Sequence, residues 1–173
     1  MMSETGKTVS LPELVEQHYV PLYRYACRLS GSTADAEDLT QQTFLTAQKK
    51  LDQLRSDEGA RSWLFTILRN LFLRSVRGAA GRGVISLDQV AEPVEAAPAT
   101  EIDSEQLQAV LNEIAEEFRL PLLMFYFEEL SYREIAEQLD IPIGTVMSRL
   151  ARGRTWLRRR LAAGAPVSSM REQ

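Results

Sequence analysis

Residues Leu130–Leu161 read LSYREIAEQLDIPIGTVMSRLARGRTWLRRRL, and the fold turns on this stretch. Ser131 followed three residues later by Glu134 is a capping box, in which each side chain takes up a backbone donor that a helix start leaves open. Ile135, Ala136 and Leu139 then recur on one apolar face. Pro142 disfavours helical geometry at Ile141 and ends that helix. A second helix is predicted from Ile143 or Gly144, with Val146, Leu150, Leu157 and Leu161 turned inward. Two helices separated by so short a turn form a helix-turn-helix. From Ile141 to Leu161 the chain carries six arginines and no acid. A guanidinium offers planar, permanently charged donors suited to phosphates and guanine edges, so the turn and the charge together point to duplex DNA. A solvated basic face on a structural helix is the plainer alternative.

The rest of the 173-residue chain sets limits on that reading. Its net charge is −4, so binding to nucleic acid must come from local segregation of charge. The segregation is there: Arg55 to Arg82 holds six arginines, and Gly83 to Ser104 holds five acids and no base. Cys27 is the only cysteine and excludes an internal disulfide, in keeping with a cytoplasmic protein. Its position one turn from Tyr23 suits a buried small hydrophobe. His18 is the only histidine, which leaves little from which to build a zinc site or a Cys/His nucleophile pair. No paired carboxylates, activated nucleophile or glycine-rich phosphate loop stands at a recognisable spacing. The expectation is a protein that is not an enzyme, with no cofactor, no metal and no small-molecule substrate. No secretory leader core or bilayer-length apolar run is present.

Working outward, the pattern is all-α. Residues 1–10 read as a disordered N-terminus. Leu11–Ser30 reads as helix, with Leu14, His18, Leu22, Ala26 and Leu29 on one face; Pro21 should kink or break it and Gly31 should end it. Ser32 or Thr33 caps a second helix that runs to about Lys50, with acids in its first turns. That helix buries Ala36, Leu39, Thr43 and Ala47. Its other side shows Asp38, Gln41, Gln42 and Leu45, a face that is either merely solvated or a partner surface. Leu51–Ala60 reads as a loop. Arg61–Arg77 reads as a helix apolar almost all round, interrupted by arginines. Trp63 there suits a core or a stacked base equally. Residues 79–100 read as an acidic linker too long for an ordinary loop, in which Ile85 and Leu87 can still dock. A helix from Glu101 to about Glu117 follows, then a break at Phe118–Pro121, then a short apolar helix over Leu122–Glu129. The domains are thus 11–78 and 101–165, with a disordered tail at 166–173.

DAEDLTQQTF (Asp35–Phe44), SWLFTILRN (Ser62–Asn70) and LSYREIAEQLDIPIGTVMSRLARGR (Leu130–Arg154), in this order and spacing, resemble the bacterial RNA polymerase sigma factors of the extracytoplasmic-function group. These are the short sigma-70 proteins with regions 2 and 4 only. The resemblance implies a transcription initiation factor that binds core polymerase, through the β′ clamp helices and the β subunit, and directs it to promoter DNA. It puts Asp38, Gln41, Gln42 and Phe44 at the core contact. It puts Arg55, Ser56, Asp57, Trp63, Arg69, Asn70 and Arg77 at the melted −10 element, where a flipped base held in a loop traps the open state. In region 4 it places Thr145, Met147, Ser148, Arg149, Ala151, Arg152 and Arg154 at the −35 duplex. Of these, Met147, Ser148, Ala151 and Arg152 are expected to face bases, while Arg149, Arg154 and Arg158 are expected at phosphates or on the bundle surface. It also implies an anti-sigma factor, often membrane-linked, and a linker that threads through the polymerase toward the RNA exit path, where the acids Asp88, Glu92 and Glu95 suit a basic channel as a mimic of nucleic acid.

The chain departs from the family's pattern at a few positions. Met147 stands where a lysine or arginine is usual, and losing one phosphate contact weakens the salt slope by about 0.9. Glu129 and Asp140 stand where glycine is common. Arg74 stands near a usual acid or asparagine, and Ile114-Ala115 replaces a frequent Leu-Pro. A stand-alone helix-turn-helix regulator of duplex operators is the competing reading. It gives no task to the DAEDL helix or to Trp63–Arg77.

Overall fold

The computed structural model describes residues 9–77 and 103–164. The chain divides into two compact units, one up to Arg82 and one from Gly83. Among the described residues there are seven α-helices and no strand. The expectations for residues 1–8, for the linker 79–100 with Ile85 and Leu87, and for the tail 166–173 lie outside the described residues.

In the N-terminal unit, α1 (Leu11–Ser30), α2 (Thr33–Lys49) and α3 (Ala60–Arg77) pack pairwise into a bundle. Ser10, expected in the disordered N-terminus, instead caps α1, and its N–H donates to the Glu13 carboxylate at 3.4 Å. Pro21 lies inside α1, and the helix runs through it without a break. The proline removes one intrahelical bond, but Leu14, Leu22, Tyr25, Ala26 and Leu29 are all fully buried along one uninterrupted face. Burial of that continuous face outweighs a single missing donor. Gly31 ends the helix in the left-handed conformation at φ 70°, and its N–H donates to the Cys27 carbonyl. Ser32 is the cap of α2, accepting from the Asp35 N–H at 3.3 Å. The buried hydroxyls of Thr40 and Thr43 donate to the Ala36 and Leu39 carbonyls, both at 2.7 Å, so neither is left unsatisfied in the core. Two short 3-10 turns, Leu51–Gln53 and Asp57–Gly59, carry the chain from α2 to α3. Cys27 is half-buried and not wholly in the core as expected.

In the C-terminal unit, α4 (Ser104–Glu113), α5 (Glu116–Phe127) and α6 (Tyr132–Leu139) all pack against α7 (Ile143–Gly164). The break expected at Phe118–Pro121 falls earlier, at Ile114–Ala115, where both residues are extended. Ile114 is fully buried, so turning this side chain into the core draws the backbone out of the helix. Pro121 sits inside α5 and is itself buried. Arg119, largely buried, donates to the Leu111 carbonyl at 3.3 Å and so closes the end of α4. The capping box on α6 is formed: Ser131 N–H donates to Glu134 at 2.7 Å, and Glu134 N–H donates to the Ser131 hydroxyl at 3.2 Å.

Glu129 and Asp140 have positive φ, 57° and 53°. These are the two positions where the resemblance leads one to expect glycine, and the backbone conformation suits that residue. A Cβ in this conformation costs about 1–2 kcal/mol, less for aspartate, whose short side chain tolerates it. Glu129→Gly should therefore stabilise the unit by about 1 kcal/mol and Asp140→Gly by roughly half as much. Urea midpoints of the two variants check both the sign and the order.

Candidate nucleic-acid and polymerase interfaces

Residues 38, 41, 42 and 45 fall on one side of α2, three or four apart. Asp38, Gln41 and Gln42 are exposed, and Gln42 Nε2 donates to Asp38 Oδ2 at 2.8 Å. Leu45 completes the strip and is 57% exposed, which is unusual for a leucine in a well-packed bundle. Phe44 does not belong to this strip. It is buried and stacks on Tyr19 of α1, with ring centroids 6.4 Å apart. Its spacing from Ala36, Thr40 and Ala47 puts it on the core side, and Leu45 takes its place on the exposed strip. Tyr19 and Val20 on α1 are exposed as well.

Between α2 and α3, Arg55, Ser56 and Asp57 are all exposed, with Ser56 extended and Asp57 opening the second 3-10 turn. On α3, Trp63 is half-buried and Asn70 exposed, with Thr66 between them at helical spacing and Arg74 one further turn on. Ser62, Trp63, Thr66, Asn70 and Arg74 thus form a polar strip with one aromatic. Arg69 is not on it: only 3% of its surface is exposed, between the core residues Phe65 and Phe72. Arg69, expected at unpaired DNA, is thus buried in the bundle. Arg77 is the last residue of α3, and its side chain lies outside the described residues.

Behind the loop, His18 of α1 is half-buried, and its Nε2 has no hydrogen-bond partner. Burial holds the imidazole below its ordinary 6.5; Asp57 opposes that shift and Arg61 adds to it. A depressed histidine favours the neutral form in the fold. That contribution is complete above 6.5 and is lost as pH falls through the lowered value. The urea midpoint of the full chain should therefore drop as pH falls below 6.5, and His18→Gln should flatten that limb.

On α7, Val146 and Leu150 are buried, and the opposite side presents Gly144, Met147, Ser148, Ala151 and Arg152, all exposed. Their spacing of three and four makes one strip along the first half of the helix. Met147 is 52% exposed. Thr145 is half-buried at the rim. Three other arginines of α7 are engaged by the bundle, while Arg158 is exposed. Arg149 lies 3.7 Å from Glu117, and Arg160 makes a two-pronged pair with Glu113 at 2.7 and 2.9 Å. Arg154 turns inward: its Nη2 donates to the Tyr132 hydroxyl at 3.1 Å, and its guanidinium lies over the Phe125 ring at 5.2 Å. Of the two places expected for Arg154, phosphates or the bundle, its contacts are with the bundle, since four residues from Leu150 is the packed face.

Comparison with known proteins joins the two units. Sigma-70 region 2 matches residues 14–82, and sigma-70 region 4 matches residues 104–157. The extracytoplasmic-function (ECF) sigma factor SigL of Mycobacterium tuberculosis is 35% identical over 142 residues, covering 79% of this chain and 80% of SigL. The chain belongs to the extracytoplasmic-function group of the sigma-70 family. A second ECF sigma factor, SigE of Mycolicibacterium smegmatis, is 39% identical over 171 residues. That match takes in 91% of this chain, which spans 65% of SigE's length. Among solved structures, the sigma factor RpoE of Bartonella quintana, in complex with the anti-sigma factor NepR, matches with a TM-score of 0.61 and 28% identity. That match covers 88% of this chain and 98% of RpoE. CnrH, solved with the cytosolic domain of CnrY, has a TM-score of 0.60 at 22% identity and so shares the fold.

The spacing of α2 already puts Leu45 on its exposed face. Thr66 carries a readable signal that sequence reasoning did not use, since it sits three residues from Trp63 and four from Asn70. Tyr132 had none, because its role depends on where Arg154 turns.

Proposed function

We propose that this sigma factor directs core RNA polymerase to a two-part promoter and that its three exposed strips divide the work. The α2 strip, Asp38, Gln41, Gln42 and Leu45, binds core polymerase. Arg55, Ser56, Asp57 and the α3 strip around Trp63 and Asn70 hold the unpaired −10 strand. The α7 strip, Met147, Ser148, Ala151 and Arg152, reads the −35 duplex in the major groove. Strand opening needs no nucleotide hydrolysis, because binding energy for the open strand shifts the melting equilibrium.

The observation that carries this reading is the match to both sigma regions, in order, within one chain. A stand-alone duplex reader uses only the second. Bartonella RpoE is held by an anti-sigma factor, and a partner of that kind belongs to the proposal for this chain too. By hiding the α2 and α7 strips it would block polymerase and promoter together. The site of action is the cytoplasm.

The test is transcription by core polymerase plus this chain from a randomised promoter library. Enriched templates should share two separated elements; enrichment of a single element would favour the stand-alone regulator. Within that assay, Arg152→Ala should cost about 1–3 kcal/mol of discrimination at one −35 position. Equal weakening on every template would assign Arg152 to a phosphate instead.

A further inference from the structure

Phe125, Tyr132 and Arg154 come from three successive helices and meet at one point. Arg154 on α7 donates to the Tyr132 hydroxyl on the first turn of α6 and lies over the Phe125 ring of α5. Phe125 and Tyr132 also touch, with ring centroids 5.6 Å apart. Arg154 Nε is buried without a hydrogen-bond partner. A guanidinium enclosed in this way has little left to offer a phosphate. It nevertheless sits two residues from Arg152, at the middle of the helix whose outer strip faces DNA.

From this geometry we infer that Arg154 is a positioning residue for −35 recognition: it fixes the rotation of α7 against α6 and α5 and does not touch DNA. The inference rests on the promoter-reading function proposed above. A flat guanidinium can stack on one ring and donate in its own plane to a second group; an ammonium is a strongly hydrated point charge and cannot do both. Lysine therefore keeps the charge at position 154 and loses the lock. Tyr132→Phe removes the acceptor hydroxyl and leaves the ring contact in place. If α7 rotates even slightly, Met147, Ser148, Ala151 and Arg152 meet the wrong base edges, so selectivity falls while the number of phosphate contacts stays the same.

The test compares Arg154→Lys, Tyr132→Phe and the double variant, each as the full chain in holoenzyme. The readout is open-complex formation on a matched promoter and on promoters with single −35 substitutions, at several salt concentrations. Each single variant should lower discrimination roughly fivefold to tenfold, and the double variant should be no worse than the weaker single. The salt slope should stay unchanged for all three. Arg154→Ala, which removes the charge, is run beside them and should also keep the wild-type salt slope; wild-type discrimination retained by Arg154→Lys, or a slope lowered by about 0.9 in Arg154→Ala, would overturn the inference and make Arg154 a phosphate contact. Urea unfolding of the free chains separates this inference from the function it rests on. Arg154→Lys and Tyr132→Phe should shift the midpoint non-additively, and additive shifts would overturn the lock whatever the holoenzyme does. If wild-type holoenzyme shows no −35 discrimination while the midpoints are non-additive, it is the promoter reading that fails.

Discussion

A chain carrying Leu45→Arg binds core polymerase about a hundredfold more weakly than the parent, a loss of about 3 kcal/mol, and unfolds at the same urea concentration. Leu45 is already 57% exposed, so the fold gives up little when it is replaced. At an interface the same side chain is buried by the partner. Arginine there loses the apolar contact and must also shed its hydration. Phe44→Ala behaves differently. Phe44 is only 8% exposed and supports Tyr19, so the variant loses about 3 kcal/mol of stability, and every activity falls with the fold. Equilibrium binding to core polymerase, read beside urea midpoints, distinguishes the two. A Leu45→Arg chain that binds core polymerase normally would remove the α2 strip from the interface.

Gly153→Leu destabilises the C-terminal unit by about 3 kcal/mol, whereas Gly153→Ala changes it little. Gly153 is buried on the inner side of α7, and a Cβ built there meets Leu122 Cδ1 of α5 at 2.8 Å and Cγ at 3.3 Å. The missing side chain lets the two helices approach closely. Alanine gains about 1 kcal/mol of helix propensity over glycine, and the far end of Leu122 can swing away from a single methyl. These effects oppose each other and nearly cancel. A leucine has no such room and must push α7 away from α5. Because α7 carries the strip proposed to face DNA, the leucine variant should also lose −35 discrimination before it loses core binding. Urea unfolding and promoter-directed transcription at a sub-denaturing temperature check the two effects in turn.

Much of the fold could be read locally. The Ser131–Glu134 capping box, Gly31 as a helix stop and the start of α7 at Ile143 each depend on residues within one turn of each other. The two prolines misled for the opposite reason. At Pro21 and Pro121 the local cost is real, but contacts made by residues far away in sequence outweigh it. The break at Ile114–Ala115 carries no glycine or proline, and only the burial of Ile114 accounts for it.

The site residues divide along the same line. Asp38, Gln41, Gln42, Met147, Ser148, Ala151 and Arg152 all stand on exposed faces, as helical spacing indicates. The resemblance puts Arg69 at unpaired DNA and Arg154 at phosphates or on the bundle surface, and each lies four residues from a core position, Phe65 and Leu150. Spacing alone already puts both toward the packed face. The Phe125–Tyr132–Arg154 cluster could not be read at all, since it forms only when three helices come together.

The central claim is that promoter opening requires this chain and core polymerase together. The direct measurement is fluorescence of a 2-aminopurine placed in the −10 element of a duplex that also carries the −35 element, without nucleotides. The signal should rise only when chain and core polymerase are both present, and Leu45→Arg should abolish the rise. If the chain alone binds the same duplex tightly and selectively at physiological salt, and adding core polymerase opens nothing, the account is wrong and the protein is a duplex-binding regulator.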